Sequence, residues 1–310
     1  MKRWMVGLIL LLLLAGCTQN ESKEPQDPPT VAANNKEAEQ NDTGGSPDAN
    51  TEPEQVTAPE QLVEPEVLLE GQYAFADEAG KRLLTLEGET PVTPAQKYAY
   101  AIGPGGSVLP IAFANDQPGD EQGNGRQTMA NFDHLAGAVY TVTEGAAEPN
   151  ATYFLTASDA WSHSSAALST EGQGEQATEA LIETIATAKN RPVQYAAKVG
   201  DVETERVLYL VQFERQGDDM LASLVLQQGD QLSYYDMPAV YNEGSTWRVD
   251  DGGEIHAEQF ALYAAADTAK GLLLGLAWIG AEGENAFFLL EDGAGLKEAG
   301  GRVGRYMAPE

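Results

Sequence analysis

Arg206-Val207-Leu208-Tyr209-Leu210-Val211-Gln212-Phe213-Glu214 is the stretch on which the fold turns. Side chains alternate along an extended chain, so Val207, Tyr209, Val211 and Phe213 share one face and Leu208 and Leu210 the other. Apolar residues on both faces predict a strand in the middle of a sheet. Turn chemistry follows at once. Gln216-Gly217-Asp218-Asp219 leads into a strand over 220–227, and Gln228-Gly229-Asp230 leads into another over 232–236. Twelve residues separate Gly217 from Gly229, which is meander spacing. A strand over 193–199 precedes the stretch. Thr246-Trp247-Arg248-Val249 is read as a further strand, closed by the turn Asp250-Asp251-Gly252-Gly253. Strands over 260–266, 272–279 and 286–290 complete this half, with a last turn at Asp292-Gly293. The segment 260–266 also fits a helix, because alanine is a strong helix former. The hairpins are irregular, and no fixed repeat marks a propeller.

Upstream the pattern is similar. Gln72-Tyr73-Ala74-Phe75-Ala76 and Arg82-Leu83-Leu84-Thr85-Leu86 flank Asp77-Glu78-Ala79-Gly80, a hairpin signal. Gly103-Pro104-Gly105-Gly106 separates strands over 98–102 and 108–113, and Pro110 suits an edge strand or a bulge. Strands resume over 138–142 and 151–155. One amphipathic helix is predicted over 175–189. Ala177, Leu181, Ile185 and Ala188 recur at helical spacing, Glu175 and Glu179 sit early, Lys189 and Arg191 sit late, and Pro192 stops it. The fold class is therefore α+β and β-dominated, built of antiparallel hairpins and a meander with one clear helix. The folded part is expected over 66–310, as one domain or as two subdomains, 66–172 and 173–310, divided at the Gly-containing segment 169–174.

The first seventeen residues give the address. Met1-Lys2-Arg3 is positive, the segment 8–14 is a leucine-rich apolar run, and Ala15-Gly16-Cys17 closes it. This is the grammar of an export signal. The run is too short to span a bilayer, which takes about 20 residues. Leu14-Ala15-Gly16-Cys17 resembles the lipobox of bacterial lipoproteins. That resemblance covers the leader only. It implies a signal peptide over 1–16, cleavage between Gly16 and Cys17, and a diacylglyceryl group on the Cys17 thiol. It further implies a chain held to the lipid bilayer at the extracytoplasmic face of a bacterial membrane. Two acyl chains suffice for stable anchoring. Residues 18–65 hold eleven acids against Lys23 and Lys36 and few large apolar groups. Such a segment cannot bury enough apolar surface to order itself, so 17–65 is expected to be a disordered acidic tether. As a flexible coil it would span about 38 Å.

The formal charge of the chain is −30. That disfavours nucleic acid as a partner. Cys17 is the only cysteine, so no disulfide lies within the chain and cysteine-type zinc sites are excluded. His134, His163 and His256 show no close metal-ligand spacing. No cofactor is expected beyond the lipid on Cys17, and no catalytic residue is singled out. In the polar loop 115–131, Asp116, Asp120, Glu121 and Asn124 offer oxygen ligands that would suit calcium, though the spacing is not that of an EF-hand. Ser158-Asp159-Ala160-Trp161-Ser162-His163 is read as a loop, since triads are assembled by the fold and not by neighbours in sequence. Asp218-Asp219, Asp250-Asp251 and Glu282-Gly283-Glu284 are paired acids at turns. Tyr234, Tyr235, Tyr241, Trp247 and Trp278 cluster late in the chain and could face a sugar. The expected role is a non-catalytic binding, sensing or structural module of the cell envelope with a protein or glycan partner. The alternative is an envelope hydrolase working through a carboxylate pair, whose mark would be desolvated acids converging in a cleft.

Overall fold

The computed structural model describes residues 62–86, 95–293 and 295–308. The expected signal peptide, Cys17 and the tether as far as residue 61 lie outside them. The described chain is strand-dominated, with antiparallel sheets and few helices, as the sequence predicts. In chain order the strands are β1 (Gly71–Ala76), β2 (Arg82–Thr85), β3 (Tyr100–Gly103), β4 (Ser107–Gln117), β5 (Gly137–Val142), β6 (Thr152–Thr156), β7 (Leu168–Ser169), β8 (Val193–Val202), β9 (Arg206–Phe213), β10 (Asp219–Gln228), β11 (Gln231–Val240), β12 (Phe260–Thr268), β13 (Gly271–Gly280), β14 (Gly283–Glu291) and β15 (Leu296–Tyr306). The helices are α1 (Pro65–Leu68), α2 (Ala160–Ser164) and α3 (Glu179–Lys189).

The strands make three bodies. β1-β2-β5-β4-β3-β6 close into a barrel, β11-β10-β9-β8-β7 form a five-stranded sheet, and β12-β13-β14-β15 form a four-stranded sheet. They stack in layers, and the burial pattern shows how. Ala74, Ala76, Leu83, Ala101, Tyr140, Tyr153 and Leu155 pack together on one face of the barrel strands. The intervening residues Tyr73, Phe75, Leu84, Ile102, Val139 and Phe154 face outward and meet Tyr263, Leu273, Ala286 and Phe288 of the four-stranded sheet. The other face of that sheet (Phe260, Leu272, Leu274, Leu276, Phe287, Leu289) packs on Ala197, Val199, Leu208, Leu210, Leu224 and Leu226 of the five-stranded sheet. The outer face of the five-stranded sheet is covered by α3, through Leu181 and Ile185 against Val211, Phe213 and Val225. β9 thus lies between two strands and between two apolar layers, as its sequence predicts. The same two-sided burial explains Leu272-Leu273-Leu274 and Phe287-Phe288-Leu289, where apolar runs replace alternation.

Two local readings change here, and one left open is decided. The predicted helix begins at Glu179, not 175. Thr178 caps it by accepting from the Leu181 N–H at 3.3 Å. Residues 174–177 instead bond to β8, with Gly174 N–H to Lys198 O at 2.9 Å and Ala177 N–H to Ala196 O at 3.0 Å. Pairing with an available sheet edge there outweighs a weak local helix preference. The segment 260–266 is strand β12. Pro110 lies in a closed barrel and at no edge. It pairs with Tyr100 of β3, and the β4–β5 ladder begins only at Ile111, so its missing N–H costs no rung.

The chain entering the described region is already tied down. Val63 forms a bridge to Thr268, and its carbonyl accepts from the Ala269 N–H at 2.9 Å. Pro65 and Leu68 are buried. Trp161 of α2, fully buried, donates from Nε1 to Leu68 O at 2.9 Å. Among the described residues no helix is long and apolar enough to cross a membrane.

Candidate functional site

The most developed concavity joining an aromatic to charged groups lies at one end of the two sheets. The loop after β11 and the hairpin tip between β13 and β14 border it. Ser245, Thr246, Trp247, Arg248, Val249, Ala281, Glu282 and Asn285 line a cleft of about 320 Å³. The expected strand at 246–249 is not formed. One carboxylate accounts for this. Asp251 accepts from the backbone N–H groups of Thr246 (2.8 Å), Trp247 (2.6 Å), Arg248 (2.7 Å) and Gly253 (3.0 Å). Those donors are gathered to one point instead of being spread along a ladder. Burial alone would raise the Asp251 pKa, but the bonds from Thr246, Arg248, Gly253 and Trp247 outweigh it and hold the carboxyl below its usual range. Asn242 turns the chain in the same way, accepting from Gly244 N–H at 2.9 Å.

Trp247 is half-buried against the core between the two sheets and donates from Nε1 to Met237 O at 2.8 Å. Arg248 reaches across to the β13–β14 hairpin. Its Nη2 donates to Gly283 O at 2.9 Å, and its Nη1 donates to the Asn285 amide oxygen at 2.8 Å in the orientation that satisfies both ends of that amide. The guanidinium also lies over the Trp278 ring, 5.6 Å from its centre. A Cβ at Gly280 would overlap Arg248 Nε, so only glycine there leaves the side chain its place. Burial pushes the Arg248 pKa down and Arg302 adds to that, against the opposing pull of Glu284 and Glu282. Arg302 is matched by Glu298 at 2.6 Å. Among the described residues Arg248 has no such carboxylate partner.

The other late aromatics have separate duties. Tyr235 donates to Glu298, and burial foremost, then Glu298, pushes its pKa up to about 12. Tyr234 lies under Lys189 Nζ, 4.3 Å from the ring centre, and Tyr241 lies under the Arg215 guanidinium at 4.1 Å. Of Tyr234, Tyr235, Tyr241 and Trp247, only Trp247 lines this cleft. Trp278 stacks on Phe260 at 5.0 Å, and its buried indole N–H has no partner among the described residues.

The paired acids separate in the same way. Glu282 is exposed at the hairpin tip, while Glu284, two residues on, is buried beside Arg305. Asp250 is exposed with φ 58°, and Asp251 holds the loop. Asp219 lies 3.6 Å from Arg191, and Asp218 accepts from Tyr241 N–H through its carbonyl. Asp116 lies on β4. Asp120 accepts from the Gln122 N–H and sits 2.9 Å from His134 Nδ1, with Glu121 exposed beside it. Among the described residues no group of three or more His, Cys, Asp or Glu could hold a metal ion. Asp159 and His163 are exposed on and beside the short helix α2, whose buried residue is Trp161.

What the sequence alone missed is Arg248, with Ser245, Thr246 and Asn285 around it. Arg248 was read as a strand residue before a turn. Asp251, three residues on and followed by two glycines, was the available sign that the segment curls. Comparison with protein-family models, with curated proteins and with solved structures gave no match for this chain.

Proposed function

We propose that this chain is an exported lipoprotein, anchored through Cys17 at the extracytoplasmic face of a bacterial membrane, whose folded body is a non-catalytic binding module for an envelope glycan. The observation that carries the binding half is the cleft at 245–249 and 281–285. It sets the Trp247 indole beside a half-buried guanidinium and the Ser245 hydroxyl, a mixed apolar and polar wall of the kind a polyhydroxylated ring needs. Among the described residues, the carboxyls whose ionisation is displaced (Glu66, Asp120, Asp251 and Glu298) are held low. They serve as ionised acceptors in ion pairs and loops, whereas a hydrolase needs one carboxylic acid held high.

The test is retention of the full-length protein on envelope glycan prepared from its host, with Ala281→Trp as the control. Ala281 is exposed at the hairpin tip and borders the cleft, so a bulky ring there fills the mouth without touching the core. Saturable retention of the natural chain, lost in A281W with melting temperature unchanged, is the expected result. Equal retention of both would place binding elsewhere, and no retention of either would remove the glycan reading.

A further inference from the structure

We propose that the cleft at 245–249 and 281–285 is a receptor for a carboxylated sugar ring, with Arg248 taking the carboxylate. This rests on the reading of the folded body as a glycan-binding module and goes further by naming the ligand's charge.

Arg248 is a half-buried cation with no carboxylate within ion-pair distance among the described residues, and it borders a cleft. Arg302, on β15 nearby, is paired with Glu298, and Arg305 with Glu284. Arg248 is half-buried and, among the described residues, donates to the neutral oxygens of Gly283 and Asn285, with Glu284 and Glu282 acting on it only at longer range. A charge taken out of water is costly unless it is paired. Two of the five guanidinium N–H groups are held by the protein, which fixes the side chain at the cleft wall and leaves three N–H groups unused by those bonds. A carboxylate matches the guanidinium fork, and the pair is the strong, charge-assisted kind of hydrogen bond. Burial, and after it Arg302, destabilises the Arg248 charge beyond what Glu284 and Glu282 restore, and a bound anion would add to that restoring pull.

The remaining wall decides which anion. Glu282 lines the same cleft and is exposed. It repels a dianion such as a phosphate but accepts hydrogen bonds from hydroxyls. Ser245 offers a hydroxyl, and Trp247 offers an apolar wall. Thr246 is already engaged with Asn242. The overall charge of −30 repels polyanions at distance. At physiological salt that field fades within about 8 Å, so a single carboxylate on an uncharged ring can approach. One carboxylate plus several hydroxyls on an apolar-backed ring describes a sugar acid.

The experiment is calorimetric titration of the full-length protein with sodium glucuronate, glucose and sodium acetate. Glucuronate is expected to bind at least roughly tenfold tighter than either of the others, since a hydrogen bond to a charged group is worth about 1.5–3 kcal/mol. Arg248→Met should erase that preference. Because this side chain also braces the hairpin, Ala281→Trp provides a second variant, which fills the cleft mouth and leaves the Arg248 bonds in place. It too should weaken glucuronate binding while leaving the melting temperature near that of the natural chain. Glu282→Gln should tighten glucuronate severalfold and leave glucose unchanged. Equal binding of glucose and glucuronate, or glucuronate binding indifferent to R248M, overturns the proposal but leaves the binding module standing. Acetate binding as tightly as glucuronate overturns it in favour of a simple carboxylate site. No response to any of the three probes also overturns it, and retention on envelope glycan then shows whether the broader reading falls with it.

Discussion

At the scale of the residue, Asp251 does more for the candidate site than any group inside it. Four backbone donors converge on one carboxylate, and that convergence shapes the loop carrying Trp247 and Arg248. Asp251→Asn keeps one acceptor oxygen and loses the charge, so we expect a loss of about 1–3 kcal/mol in denaturant unfolding, with the cleft lost first. The pH dependence has a defined sign. The folded-state pKa of Asp251 is held below its unfolded value, so this stabilisation is complete above the unfolded value of about 3.9 and is lost as pH falls through the lower, folded one. Tryptophan fluorescence at decreasing pH should therefore report loop opening in the natural chain below about pH 4. The same titration should be nearly flat in D251N, and matching curves would show that another acid governs the loop. Cys17 is the second decisive residue. Cys17→Ser is expected to abolish lipid labelling and to release the protein or leave its precursor uncut. Labelling that survives the change would end the anchor proposal.

At the scale of the element, α3 shows how a short amphipathic helix is fixed by its ends as much as by its face. Leu181 and Ile185 bury against the five-stranded sheet, each worth about 1.5–3 kcal/mol. Thr178 caps the start, and Asn190 closes the end in the left-handed region with φ 49°. Arg191 then bonds to Glu214 O at 2.8 Å and Asp219 O at 2.6 Å, so the helix end also holds the β9–β10 turn. Thr178→Ala should cost about 1 kcal/mol in chemical denaturation, through the lost cap bond. An unchanged midpoint would mean that packing alone sets the helix start. The hairpins follow the same economy. Gly229-Asp230 joins β10 to β11 with Gln228 opposite Gln231, and Gly229 at φ 57° meets the positive φ that such a tight loop requires.

At the scale of the whole molecule, one buried cation ties three distant parts of the chain together. Arg305, 3% exposed, donates from Nη1 to Asn150 O at 2.6 Å and from Nε to Gln127 O at 2.7 Å, and it pairs with Glu284 at 3.2 Å. Thr152 of the barrel donates to the same Glu284 carboxylate. The barrel strand β6, the segment before the short turn at Met129–His134 and the last sheet are thereby clasped at one point. The Tyr73 and Tyr263 hydroxyls, 3.1 Å apart, make a second polar contact between barrel and sheet. Arg305→Ala would leave Glu284 buried and unpaired, at a cost of about 3–5 kcal/mol. Arg305→Met with Glu284→Gln should recover much of that, because no buried charge is left without a partner. Urea unfolding of the single and double variants tests this, and equal losses in both would show that the clasp acts through its backbone bonds and not through charge.

By itself the sequence determined the strand-rich class, the meander around β9 and the existence of one helix. These rest on periodicity and turn chemistry, which are local. It also supplies the lipobox-like stretch Leu14-Ala15-Gly16-Cys17 on which the anchor proposal depends. The tertiary structure alone decided that the first six strands close into a barrel, because closure depends on which non-adjacent strands pair. It decided the fate of 174–177, which bonds to β8 instead of extending the helix, and of 260–266, an alanine-rich segment that fits two periods. It likewise decided the cleft. Arg248 and Glu282 are far apart in the chain and become neighbours only because Asp251 curls one loop toward the tip of another hairpin. Paired acids in sequence parted because each pair straddles a turn or the end of a strand, where the chain direction changes between one acid and the next. Which charge is left unmatched depends on the contacts of every other charge, and only the folded chain assembles those.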